Sequence, residues 1–291
     1  MNRFFISFLI IGLVFLTACA DDSGTASKGK TKPANTEKRE EKSDERSEEI
    51  PEGKVSEEAS DDVETDESEA KPEAQYILTE NWSLVPIEEG IEENVVLLTI
   101  DDAPDKHAVD MAKTLNELDA PAIFFVNGHF LDSPEEEEML KEIHDLGFEI
   151  GNHTYNHVVL PELTEEEQKQ EIVSLSDRIE EIIGERPVFF RAPHGANTDY
   201  SKEVAQEEGM TVINWSYGYD YFKPYMEAEK LIEAMVSGEG PEVGVDYSLL
   251  NPGANLLMHD RPWTAEALPD IVNGLRDKGF EMLDPILIKS P

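Results

Sequence analysis

Five short stretches of this sequence hold residues whose types and spacing could do chemistry. Asp101-Asp102 follows an apolar run. Two adjacent carboxylates repel each other if packing is their only role, and a helix cap needs one Asp, not two. A metal ion resolves the conflict: one carboxylate is a ligand and the other works beside it as a base. His153-Thr154-Tyr155-Asn156-His157 sets two imidazoles on one side of a helical turn, a metal-ligand spacing. Two His and one Asp leave coordination positions open, which is the catalytic rather than the structural pattern for zinc. Arg191-Ala192-Pro193-His194 carries an Arg that, once buried, needs a carboxylate, and Asp101 or Asp220 could supply it. Trp215 precedes Asp220 by a short tyrosine-rich stretch, and Leu257-Met258-His259 offers a general acid.

These residues need elements to position them. Val95–Ile100 and Ala122–Val126 are continuous apolar runs, as expected for strands covered on both faces. Shorter strands are expected at 148–151, 187–190, 211–215, 255–258 and 280–283. Helical spacing fills the gaps at 107–118, 134–146, 164–183, 200–208, 226–236 and 264–278. Thr164 with Glu167 is a capping-box pattern, and Pro134 with a run of acids marks another helix start. Seven strands alternating with six helices predict a parallel α/β barrel or open α/β sheet. In such folds chemistry gathers at the C-terminal ends of strands. All five polar stretches fall there.

The 291 residues carry 64 acids against 24 bases, a net charge of −40. That excess argues against a nucleic-acid partner, which needs Lys/Arg clusters. Residues 20–75 contribute a net −10 and residues 76–291 a net −31, so the acidity is general. Runs such as Glu135–Glu138 read as solvated helix faces. A single Cys excludes an internal disulfide framework.

That Cys has a place. Asn2-Arg3 precedes an apolar run, Phe4–Leu16, of 13 residues. A spanning helix needs ~20, so the run reads as a signal h-region. Leu16-Thr17-Ala18-Cys19 then resembles a lipobox, in which the Cys is lipidated and becomes the mature N-terminus. This assigns 1–19 to a lipoprotein signal peptide and the protein to the extracellular face of a bacterial membrane. Residues 20–75 hold few large apolar side chains and read as a disordered acidic tether. Residues 76–94 are a lead-in segment, and 95–291 form the catalytic domain.

From about Val95 to Leu283 the chain resembles the polysaccharide deacetylases of carbohydrate esterase family 4, the NodB homology domain. The five family motifs occur in order: Thr99-Ile100-Asp101-Asp102-Ala103, His153-Thr154-Tyr155-Asn156-His157, Arg191-Ala192-Pro193-His194, Trp215 to Tyr221, and Leu257-Met258-His259. The resemblance implies a distorted (β/α)7 barrel holding Zn2+ or a similar divalent metal such as Co2+. It implies Asp102, His153 and His157 as metal ligands, Asp101 as base, Arg191 orienting Asp101, and His259 as acid poised by Asp220. The backbone N–H of His194 would bind an oxyanion, while Trp215 and Leu257 would enclose an acetyl group. Ile100 and Ala103 depart from the family's Phe and Gly, His194 from its Tyr, and Tyr221 from its Trp. The implied activity is removal of N-acetyl groups from an amino-sugar polymer, with peptidoglycan the nearest one to a lipid-anchored protein. The alternatives are a deacetylase of chitin oligomers or an exopolysaccharide, and a catalytically silent wall-binding lipoprotein. Of the remaining polar residues, His107 and His144 read as helix-surface groups and His129 as a subsite candidate. Asp260 reads as a partner of His259 or a loop acid, and Trp263 as a packed aromatic, with stacking on a sugar the alternative.

Overall fold

The computed structural model describes residues 72–291. The signal segment, Cys19 and nearly all of the tether lie outside the described residues. A short antiparallel hairpin comes first, β1 (Tyr76–Leu78) and β2 (Leu84–Pro86). Strands and helices then alternate: β3 (Val95–Ala103), α1 (Ala108–Glu117), β4 (Ala122–Val126), α2 (Pro134–Asp145), β5 (Glu149–Asn152), α3 (Glu165–Ile183) and β6 (Phe189–Phe190). They continue with α4 (Asp199–Glu207), β7 (Thr211–Val212), α5 (Ala228–Ser237), β8 (Ala254–His259), α6 (Pro262–Asp277) and β9 (Glu281–Met282).

The strands β3 to β9 are parallel, in the order β7-β6-β5-β4-β3-β8, and β9 pairs with the start of β3. The sheet curls until Tyr217, just past β7, bridges Leu256 of β8. Leu257 N donates to Tyr217 O there at 2.9 Å. One bridge is a weak seam, so the result is a curled half-barrel, distorted on that side, as the resemblance implied. Alternate residues of each strand serve different layers. Leu97, Ile123, Phe125, Phe189 and Ile213 form one buried cluster, while Val96, Leu98, Ile100, Phe124 and Val126 join the cluster with the helices. The hairpin adds Tyr76 and Leu84 to the first cluster. A Cβ at Gly253 would lie 1.8 Å from Leu84 O, so only glycine lets the hairpin dock there.

The helices start where the caps predict. Thr164 with Glu167 and Ser133 with Glu136 both form complete capping boxes. The strands differ more from expectation. β7 ends at Val212 rather than Trp215 because the next carbonyls have another partner. Arg191 Nε donates to Ile213 O at 3.1 Å and Nη2 to Asn214 O at 2.8 Å. The ladder yields there to a side chain of the site.

Candidate active site

Strand β3 carries Asp101 and Asp102 to its C-terminal end, and β8 carries His259. The two strands pair in parallel with Asp101 directly opposite His259. β5 delivers His153, β6 delivers Arg191, and the segment after β7 delivers Trp215 and Asp220. The structure therefore gathers all ten sequence-predicted residues. Nine of them, all but the buried Arg191, line one cavity of about 580 Å³. Tyr221, Met226, Arg261 and Trp263 complete its wall.

Arg191 is fully buried, and its partner is Asp101 rather than Asp220. Nη1 donates to Asp101 Oδ1 at 2.6 Å and to Thr99 Oγ1 at 2.8 Å, while the guanidinium lies 4.2 Å from the Phe125 ring centroid. Burial pulls the Arg191 pKa down, and the charge of Asp101 opposes this. A buried, hydrogen-bonded pair of this kind fixes the carboxylate in one orientation.

His259 has its own partner. Its Nδ1 lies 2.8 Å from Asp220 Oδ1, and its backbone N donates to Asp220 Oδ2 at 2.6 Å. Thr264 Oγ1 donates to the same carboxylate at 2.8 Å, and Trp263 Nε1 to the Asp220 carbonyl at 2.9 Å. Burial alone would lower the His259 pKa. The charge of Asp220 and its hydrogen bond outweigh that and raise it to about 9. The imidazole is thus a cation at neutral pH.

Asp102, His153 and His157 bring one ligand atom each to within 4.8 Å of one another. His153 Nδ1 lies 2.7 Å from Arg191 O. A carbonyl only accepts, so Nδ1 carries the proton and Nε2 keeps its lone pair. Burial lowers the His153 pKa, and burial with the neighbouring His153 pushes His157 down to about 4. Both rings are neutral, as ligands must be. Burial works against ionisation of Asp102, but the positive charges of His259 and Arg261 help to hold its pKa below the usual range. This donor set fits a divalent cation such as Zn2+.

The backbone is strained here. Asp102, Thr154, His157 and His194 all have positive φ, at 62°, 67°, 53° and 58°. A β-branched Thr in this region is a rare conformer, held only where the surroundings over-determine it. Asn127 Nδ2 helps, donating to His153 O and Thr154 O at 2.7 and 3.1 Å.

His129 does not line the catalytic cavity; its Nδ1 lies 3.1 Å from Tyr155 O. Asp260 is a buried anchor rather than a free loop acid. Its carboxylate accepts from the backbone N of Asp105, Lys106, His107 and Ala108, all within 3.0 Å. Arg261 reaches Asp102 Oδ2 at 2.6 Å. Sequence reasoning had not singled out Arg261, although a cation two residues past a reactive strand end in so acidic a chain was a signal. Trp263 is a cavity wall as well as a packed aromatic.

Residues 89–213 match the family model described as polysaccharide deacetylase. The chain is 29% identical over 205 residues to PdaC, a peptidoglycan-N-acetylmuramic acid deacetylase of Bacillus subtilis, covering 68% of this chain and 40% of that protein. It is 29% identical over 194 residues to a peptidoglycan-N-acetylglucosamine deacetylase of Bacillus cereus, covering 66% of this chain and 86% of the relative. A solved structure of BA3943 from Bacillus anthracis, described as a CE4 family pseudoenzyme, matches with a TM-score of 0.57 and 26% identity, covering 65% of this chain and 63% of that one. The chain spans about half or less of the length of two of the curated Bacillus subtilis relatives it matches. Over this stretch the chain is similar to the polysaccharide deacetylase (CE4, NodB) family.

Proposed function

We propose that the protein is a metal-dependent hydrolase that removes N-acetyl groups from amino sugars of a bacterial cell-wall polysaccharide, with peptidoglycan as substrate. The observation that carries this is one cavity in which a carboxylate fixed by Arg191 and an imidazolium fixed by Asp220 flank a three-residue metal group. The names of the relatives point the same way.

Amide hydrolysis needs an activated water, a site for the developing oxyanion and a proton for the leaving nitrogen. Asp102, His153 and His157 would hold a divalent cation, Zn2+ or Co2+, which would supply Lewis acidity toward water and the acetyl carbonyl. Asp101, aimed by Arg191, takes the proton of the attacking water. The backbone N–H of His194 donates to the oxyanion. His259 gives its proton to the leaving nitrogen, and the products are acetate and a glucosamine-type amine. Trp215 and the buried Leu257 enclose the acetyl methyl.

A silent wall-binding role has a specific observation in its favour, the structural likeness to a pseudoenzyme. This chain, however, keeps every proton-transfer and ligand residue named above in one cavity. The lipobox reading completes the proposal: the enzyme acts outside the cell, held to the membrane through lipid on Cys19. Acetate release from purified wall tests the activity. Asp101→Asn and His259→Ala are each expected to lower the rate about 10²–10⁴-fold. Variants that keep most of the activity would sink these roles, and release from chitin oligomers or an exopolysaccharide alone would change the substrate.

A further inference from the structure

His259, the last residue of β8, and the two residues that follow it send their side chains to three different places. His259 meets Asp220, Asp260 gathers four backbone amides, and Arg261 turns to Asp102. Arg261 is held at both ends of its fork. Nη1 donates to Asp260 O at 2.8 Å and Nη2 to Asp102 Oδ2 at 2.6 Å. The other oxygen of Asp102 faces the opposite way. Oδ1 lies 3.3 Å from His157 Nε2 and 3.9 Å from His153 Nε2.

The two oxygens of this carboxylate therefore have separate partners. We propose that Arg261 is a positioning residue that reserves Asp102 Oδ2, so that Asp102 engages the divalent cation through Oδ1 alone. The inference rests on the reading of Asp102, His153 and His157 as the metal group.

A carboxylate can ligate through one oxygen or both. Two-oxygen ligation by Asp102 would use a place that a catalytic site keeps for water and substrate. A permanently charged, planar guanidinium already anchored on Asp260 O is well suited to prevent it, because little freedom is lost in making the second bond. It also withdraws charge from the carboxylate, which leaves the ion a stronger Lewis acid. The general field of the chain does not explain a cation here, since acids outnumber bases 64 to 24. A Lys in its place offers a single point charge and cannot bridge Asp260 O and Asp102 with the same fork.

Cobalt(II) tests this, because its visible absorption weakens as its coordination number rises. The full-length protein loaded with Co2+ is compared with Arg261→Met and Arg261→Lys at equal metal stoichiometry. Arg261→Met is expected to retain Co2+, to show a weaker visible band, and to lose about 10–100-fold in kcat with KM changed far less. Arg261→Lys is expected to fall between the two. An unchanged spectrum in Arg261→Met would overturn the proposal. So would loss of the metal from it, which would make Arg261 a support for the site and not a guard on one oxygen. His157→Ala separates the underlying reading: if Co2+ binds with an unchanged spectrum there, the metal group itself is wrong and the proposal falls with it.

Discussion

His259 owes its chemistry to one neighbour. Asp220 raises its pKa to about 9 against the effect of burial. A raised pKa in the folded state means that the pair stabilises the protein fully below about pH 6.5, the ordinary His value, and that this contribution is lost as pH rises through 9. The melting temperature of the wild type is therefore expected to fall over this range more than that of Asp220→Asn. The activity carries the same signature. An acid that must be protonated gives a falling limb at or below pH 9, since a bound cation nearby works against the proton. Asp220→Asn is expected to move that limb down by about one pH unit or more, because a unit corresponds to only ~1.4 kcal/mol of interaction. A limb that stays in place in kcat/KM profiles of the variant would contradict the pairing. Much of this site was legible in the sequence, because each reactive residue follows an apolar run and such residues have little reason to be there. The residue types alone left the partner of Arg191 open between Asp101 and Asp220; the resemblance pointed to Asp101, and the structure pairs Arg191 Nη1 with Asp101 Oδ1. The separate duties of Asp260 and Arg261 were hidden for the same reason.

The junction between β8 and α1 belongs to the scale of elements. Asp260 binds the backbone N of residues 105–108, so the end of β8 holds the loop that follows Asp101-Asp102. Removing a buried carboxylate leaves several amides without partners. Asp260→Ala is expected to cost about 3 kcal/mol or more, read as a lowered midpoint in urea unfolding. A change under 1 kcal/mol would mean that water replaces the carboxylate at little cost. Gly218 is a second fixed point. A Cβ there would lie 2.4 Å from Leu257 O, so an Ala would push the segment bearing Trp215 and Asp220 away from β8. Helices were legible to within a few residues because caps and apolar spacing mark their ends. The end of β7 was not, since it depends on which carbonyls Arg191 claims, and that is a tertiary fact.

At the scale of the molecule the acidity returns. Residues 76–291 carry a net −31, and bacterial walls are themselves anionic. Repulsion between enzyme and wall should ease as salt shortens the Debye length from about 10 Å at 0.1 M to about 3 Å at 1 M. Activity on intact wall is expected to rise with moderate salt, while activity on a neutral soluble oligosaccharide stays nearly flat. Equal profiles for the two would leave the charge as a property of the fold alone. The proposed lipid attachment at Cys19 would keep a repelled enzyme near its substrate. Cys19→Ala is expected to release the protein from the membrane fraction, and palmitate labelling of that variant would contradict the lipobox.

The central claim is that this cavity removes acetyl groups from wall sugars. Mass spectrometry of muropeptides from purified wall, treated with the metal-loaded protein, tests it most directly. The account predicts muropeptides lacking one acetyl group on an amino sugar, with acetate released in matching amount, and neither product from Asp101→Asn. Fully acetylated muropeptides after treatment with a metal-loaded, folded protein would contradict it.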